Sequence, residues 1–357
     1  MKVIGIAGTA KNTGKTTTTA ALLKEGYRRK RRMAITSIGF DGEELDNVTG
    51  LPKPRLWLEE GTVVATARKC LPLSSADIRI LEDTSIATAL GSIVIGQVES
   101  AGRVVIAGPN KSHELAKIKK SLQKYKPQLV FVDGALNRMA PMVETDGLIL
   151  ATGAARHVEP AQLATETTAI SAIFRLTATT FHRPNDQLGF AYWHDNQWHE
   201  KNIAQNVLIT AEDGQDLAEM LAPSLRENSR GYVNLPGFVT LRALEKFLEK
   251  AATQMKGWSL LFRDPVSLLL SDDPKNVGAL LRMLGERRLK AQVRKKIPLI
   301  AITVNPFYPE YDRGAQLYRS RYLPTGVLES PLYKLPLPVL DVKRKGPLYL
   351  WRKTIGF

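Results

Sequence analysis

Apolar and polar positions along the first half of the chain fall into blocks that predict strands and helices in alternation. Val3 to Ala7 is apolar at every position except Gly5, as expected of a strand buried on both faces of a parallel sheet. A Gly/Thr-rich segment follows, and the chain from Lys15 to about Lys30 reads as a helix. Met33 to Gly39 predicts a second strand. Four short β-rich runs, 62–67, 78–81, 93–98 and 103–107, read as an extension of the sheet, with a hairpin turn at Ala101-Gly102. His113 to Tyr125 places Leu115, Ile118 and Leu122 on one helical face with lysines opposite. Gln128 to Asp133 and Asp146 to Gly153 predict two more strands, and Val158 to about Phe174 a helix.

The period is lost after Leu176. Residues 177–200 are rich in Thr, His and aromatic side chains, and a domain boundary is expected there. From Gln205 the rhythm resumes, with strands at 207–210, 231–234, 258–262 and 298–304 and helices ending near Leu221, Met255 and Arg288. The division expected is 1–176 for a first α/β domain and 177–357 for a second, smaller one. Pro324, Pro331, Pro336, Pro338 and Pro347 predict an extended tail over its surface.

With 357 residues there is room for two such cores. No apolar run reaches the length of a membrane span, and the N-terminus enters a strand at once, so no membrane partner and a cytoplasmic location are expected. A lone cysteine, Cys70, excludes an internal disulfide and a cysteine-based zinc site. His194 and His199 are five apart, the wrong spacing for one face of a helix or strand. Charge changes the picture more: the formal net charge is +15, and residues 282–357 hold sixteen Lys/Arg against five Asp/Glu. A second basic cluster, Arg28 to Arg32, closes the first helix. Such clusters suit nucleic acid or an acidic protein, but no nucleic-acid motif accompanies them, and a solvated face is the preferred reading.

The candidate chemistry lies in Gly8 to Thr18. A strand, a Gly/Thr loop closing on Gly14-Lys15-Thr16 and a helix form the context of a P-loop, and predict a P-loop NTPase fold with a mostly parallel sheet flanked by helices. Backbone N–H groups from Gly8, Thr9, Lys11, Asn12, Thr13 and Gly14 would wrap phosphate, aided by the helix N-terminus. Lys15 would reach the β- and γ-phosphates of ATP, Thr16 would bind Mg²⁺, and Thr17 would hold the α-phosphate. The strict pattern has a glycine five residues before Gly14. Thr9 stands there, with Gly8 one residue earlier. A hydrophobic strand ending in Asp133 fits a carboxylate that orients Mg²⁺ through water. Asp41, at the end of the second strand, is a candidate for the metal or the attacking water, or an Asp-Gly turn. The Pro/Gly-rich loop after it carries Lys53 and Arg55 and would close over phosphates or serve as a linker.

A base-reading Asn-Lys-x-Asp element is lacking, since Asn110 to His113 has no aspartate, so ATP is expected over GTP. Gly8-Thr9 and Gly14-Lys15-Thr16 resemble the loop of dethiobiotin synthetase and the cobyrinic acid synthetases, in the class that includes the Min and Par ATPases. That resemblance implies a homodimer with a signature lysine acting across it. Lys11 is similar but sits one residue nearer Gly14. Cys70 is no glutaminase nucleophile. With Gly39 to Glu43, Thr49 to Arg55 and Leu150 to Arg156, the chain resembles the P-loop subunit of the lysine 5,6-aminomutase reactivase. This resemblance implies an ATP-driven factor that removes damaged cobalamin from an adenosylcobalamin-dependent aminomutase, beside a MutS-like ATPase companion. Two functions stay open: an ATPase switch acting on a partner enzyme, or a small-molecule synthetase that phosphorylates a carboxylate.

Overall fold

All the apolar side chains of Val3 to Ala7 are buried, and the strand they form, β1 (Lys2–Gly8), lies inside a nine-stranded sheet. The computed structural model describes residues 1–39, 56–181, 189–201, 207–225 and 230–356. The chain divides into two units, Met1–Ala164 with Pro298–Phe357, and Thr165–Ile297. Up to the crossover the elements are α1 (Lys15–Arg28), β2 (Met33–Ser37), β3 (Leu56–Leu58), β4 (Val63–Ala67), β5 (Asp77–Thr88), β6 (Gly91–Ser100) and β7 (Gly102–Val104). Then follow α2 (Ser112–Gln123), β8 (Leu129–Ala135), β9 (Gly147–Gly153) and α3 (Pro160–Phe174).

The second unit carries a six-stranded sheet. It is built from β10 (Thr177–Ala178), β11 (Phe190–His194), β12 (Gln197–Lys201), β14 (Tyr232–Asn234), β16 (Ser259–Phe262) and β17 (Lys290–Val293), in the order β10-β17-β16-β14-β11-β12. A parallel pair, β13 (Val207–Leu208) and β15 (Phe238–Val239), accompanies α4 (Ala211–Leu221) and α5 (Leu241–Ala251), which pack on each other. The helices α6 (Pro265–Leu269) and α7 (Pro274–Glu286) complete it. Thr210 and Thr240 accept N–H bonds at the starts of α4 and α5, as the polar-then-apolar sequence there requires.

The chain then returns to the first unit as β18 (Leu299–Asn305), a hairpin of β19 (Phe307–Asp312) and β20 (Leu317–Tyr322), then β21 (Val339–Leu340) and α8 (Val342–Thr354). The large sheet has the order β21-β18-β9-β1-β8-β2-β4-β6-β5, parallel from β21 to β4 and antiparallel through β6 and β5. The architecture is therefore α/β with a large, mostly parallel sheet flanked by helices.

Three expectations need correction. The boundary at 177–357 groups β18 to α8 with the wrong neighbours, because 298–357 belongs to the first unit. A parallel strand reaches its partner through a long crossover, so nothing local in Leu299–Asn305 announces that it pairs with β9. The proline-rich segment is not simply an extended tail, since it supplies β21 to the sheet and leads into α8. The hairpin between β5 and β6 turns at Ala89-Leu90, ahead of Gly91 with φ 89°, not at Ala101-Gly102. Ala-Leu carries no turn chemistry, and the charged, edge-exposed β5 hides its own period.

One face of the large sheet buries Ile4, Ile6, Met33, Ile35, Phe131 and Ile149 against Leu22 and Leu23 of α1 and Leu350 and Trp351 of α8. The helices lie close because α1 has Gly26 there: a Cβ on it would meet Met33 Sδ at 2.2 Å and Trp351 Cζ3 at 3.3 Å. Burying a side chain of this size stabilises the unit by about 1.5–3 kcal/mol.

Candidate functional site

The order of strands fixes where a ligand can bind. From β1 the chain crosses to β2, on the far side of β8, whereas β9 lies on the other side of β1. Strand order reverses there, so a crevice opens at the carboxyl ends of β1, β8 and β9. The segment leaving β1 into that crevice is Thr9 to Gly14.

Its shape is held by short polar contacts. Thr9 N–H donates to Ala151 O at 2.9 Å, and Thr9 Oγ1 donates to Thr152 Oγ1 at 2.9 Å, tying the loop to β9. Thr13 Oγ1 donates to Ala10 O at 2.9 Å. Asn12 and Gly14 adopt left-handed backbone, φ 64° and 90°, on either side of Thr13. Asparagine tolerates that region and glycine adopts it without strain. Gly14 caps α1 without any side-chain hydrogen bond, and no acidic residue occupies the first turn. The N–H groups of Lys15, Thr16 and Thr17 thus start a fourteen-residue helix with no capping side chain, the local electrostatics that favour an anion.

Lys15 and Asp133 meet here. Lys15 Nζ lies 3.4 Å from Asp133 Oδ1, with side chains 17% and 14% exposed. Parallel pairing sets this contact: Asp133 is in register with Ile6 of β1 and with Ser37 of β2, on the face that α1 covers. Thr16 and Thr17 are half-buried on the first turn of α1, and Lys11 is exposed. Thr9, Asn12, Thr13 and Gly14 lie in the loop, and Gly8 is the last residue of β1, in register with Ala135 and Ala151. Asp41, Lys53 and Arg55 lie outside the described residues.

The sequence reading missed the wall supplied by β18. Asn305 Nδ2 donates to Asn12 O at 2.7 Å, and its Cβ would stand 3.1 Å from a Cβ on Gly14. Ala154 N–H donates to Asn305 O at 2.9 Å, so one residue braces both the Asn12–Gly14 turn and the end of β9. Thr303 Oγ1 is 2.9 Å from Thr18 Oγ1. Beside these residues lies a small, open recess that Asp341 and Lys343 also line. Asp341 Oδ1 accepts the N–H groups of Lys343 and Arg344, capping α8. The strand Leu299–Asn305 was legible, but its adjacency to a loop some 290 residues earlier was not.

The assembled groups are an ammonium, a carboxylate, threonine hydroxyls and uncapped helix N–H groups. They suit a chain of phosphate oxygens with a hard cation, because Mg²⁺ takes one or two protein oxygens and completes its shell with substrate phosphate and water. Among the described residues, no three His, Cys, Asp or Glu side chains cluster to hold a metal on their own. His194 stacks on Trp258 and His199 on Tyr192, each within its own aromatic pair. Cys70 is buried, which pushes its thiol above the ordinary range and leaves it inert. Among the described residues no helix is long and apolar enough to cross a membrane. No protein-family model matches the chain, and no characterised protein matches it significantly.

Proposed function

We propose that this protein is a P-loop ATPase that binds Mg-ATP and acts as a switch or reactivation factor for a partner enzyme. The observation that carries the reading is the pairing of Lys15 with Asp133 beside the uncapped start of α1. In the free site each charge neutralises the other. When nucleotide binds, Lys15 turns to the β- and γ-phosphates, and the N–H groups of the Thr9–Thr17 segment surround them. The Thr16 hydroxyl, and Asp133 through water, would hold Mg²⁺, which when bound would supply positive charge against that developing on the phosphoryl group. The recess lined by Thr17, Thr18, Thr303 and Asn305 adjoins the first turn of α1. The resemblance stated above makes an adenosylcobalamin-dependent aminomutase the partner to try first, with a MutS-like ATPase as companion.

The test is equilibrium binding of a labelled, non-hydrolysable ATP analogue with Mg²⁺, followed by steady-state hydrolysis. Saturable binding that Lys15→Ala abolishes is expected, with turnover that needs no added small acid and rises with the aminomutase. Unchanged hydrolysis in Lys15→Ala would falsify the assignment. Turnover only in the presence of a small carboxylic acid would replace the switch with a synthetase.

A further inference from the structure

The two basic clusters that are far apart in sequence meet in the fold, at the end of the large sheet opposite the phosphate loop. Arg32 leaves α1 and is bonded to the start of β8, with Gln128 N–H donating to Arg32 O at 2.8 Å and Arg32 N–H to Gln128 Oε1 at 3.1 Å. Lys2 N–H donates to Gln128 O at 2.9 Å, which brings in the first residue of β1, and Lys126 sits two residues before Gln128. From the other side the last turn of α8 packs on α1 through Trp351, whose ring carries the Arg29 guanidinium at 5.7 Å. Arg352 and Lys353 follow it.

Lys2, Lys30, Arg32, Lys126, Arg352 and Lys353 are all exposed, and among the described residues none of the six forms an ion pair. The carboxylate on the last turns of α1, Glu25, is buried and already engaged by Arg28 and Arg29 at 2.7 Å. Glu59 and Glu60, on the turn that Tyr27 reaches through Thr62, bound the patch on one flank. So many unpaired like charges repel one another, and an anion with repeated charges relieves that repulsion.

We propose that this face binds the phosphate backbone of duplex nucleic acid without reading its sequence. The cations come from four separate segments, at the start of β1, after α1, before β8 and on the last turn of α8, and are not strung along one helix or ribbon that could enter a groove, so the contacts suit backbone and not base edges. A protein partner would need an apolar centre. The exposed apolar residues near the patch are scattered and form no centre: Met1 beside Lys2, Trp57 two residues before Glu59, and Leu348 and Tyr349 at its border, with Tyr349 flanked by Lys345 and Lys353 at 5.8 and 5.6 Å. A strand of seven residues separates this edge from Gly8, about 20 Å at roughly 3.3 Å per residue, so the patch can be altered without touching the nucleotide site.

The experiment is fluorescence anisotropy with labelled duplexes of two unrelated sequences, over a salt series, using the full chain. Equal affinity for both is expected, near micromolar at low salt and falling steeply as salt rises. The triple variant Lys30→Glu/Arg32→Glu/Arg352→Glu should bind at least about tenfold more weakly, with a salt slope shallower by about 3. If that variant melts early by circular dichroism, Lys30→Gln/Arg32→Gln/Arg352→Gln is read in its place, with the same direction expected. A matched reversal in the second unit, Arg242→Glu/Lys250→Glu/Lys256→Glu, should keep wild-type affinity. The proposal is overturned if the wild type fails to bind at low salt, if the patch variant binds normally, or if the control falls equally. Tighter binding of polyglutamate or of anionic vesicles than of duplex overturns it too, and assigns the face to an acidic protein or a membrane.

Discussion

Lys15, Thr16 and Asp133 occupy neighbouring places yet should fail differently when removed. On the ATPase reading, Lys15→Ala loses the cation that would face the phosphates and should abolish nucleotide binding. Thr16→Ala and Asp133→Ala should largely spare binding while lowering Mg²⁺-dependent hydrolysis by roughly 10²-fold or more, because catalysis of this kind is mostly charge stabilisation and positioning. Parallel binding and turnover assays on the three variants separate the two outcomes. Glu25 gives a pH prediction. The Arg28 guanidinium, with Arg29 beside it, holds its carboxyl at about 2, against an ordinary 4.5, although burial opposes the shift. A depressed carboxyl stabilises the fold fully above pH 4.5 and ceases to do so as pH falls through about 2. Arg28 is 62% exposed, so its share is modest. Urea midpoints should therefore decline between pH 4.5 and 2 in the wild type. Glu25→Gln should lower the midpoint at neutral pH and remove that part of the decline.

At the level of elements, β18 and α8 do what the first half of the chain cannot do alone. Asn305→Ala removes the amide that holds Asn12 O, at a cost of about 1 kcal/mol, and frees the Gly14 turn. A several-fold weaker nucleotide affinity with only a small fall in Tm is the expected result, measured by titration and by melting. Trp351→Ala empties the space between α8 and Gly26 and should cost about 3–5 kcal/mol in chemical denaturation. Neither residue stood out beforehand, whereas β1, α1, β8 and α2 did. The difference is physical. The stretch from Val3 to Thr18 declares itself through local patterns, a buried strand and a left-handed glycine before a helix. Lys15 and Asp133 were legible as a pair because each sits at the end of such a pattern. Asn305 ends an ordinary strand, and its importance comes from which strand lies beside it, set by a crossover through a whole folding unit. The β5–β6 turn was missed for a related reason, since Ala-Leu is held there by Thr88, whose Oγ1 donates to Gly91 O and accepts the Leu90 N–H.

At the scale of the whole molecule, one unit is a continuous segment, Thr165–Ile297, and the other is made from both sides of it. On the ATPase reading only the discontinuous unit holds ligand. Differential scanning calorimetry should then resolve two transitions, of which Mg-ATP raises one. A hundredfold excess over Kd adds about 2.7 kcal/mol to the unit that binds and nothing to the other. A uniform shift of a single transition would mean that the units unfold together.

The return of 298–357 to the first sheet also sets a timetable for synthesis. A ribosome releases β1, α1, β2, β8 and β9 early, but the face of α1 that Trp351 covers then has nothing to bury against, and the Asn12–Gly14 turn has no Asn305 to rest on. Thr165–Ile297, being contiguous, emerges complete and can fold while the earlier strands still wait. Closing the large sheet requires bridging that finished unit, a long-range event of the kind that slows folding. A nascent chain arrested before Leu299 would therefore carry the whole Thr9–Gly14 loop and its ties to β9, yet lack the Asn305 amide that braces the Asn12–Gly14 turn.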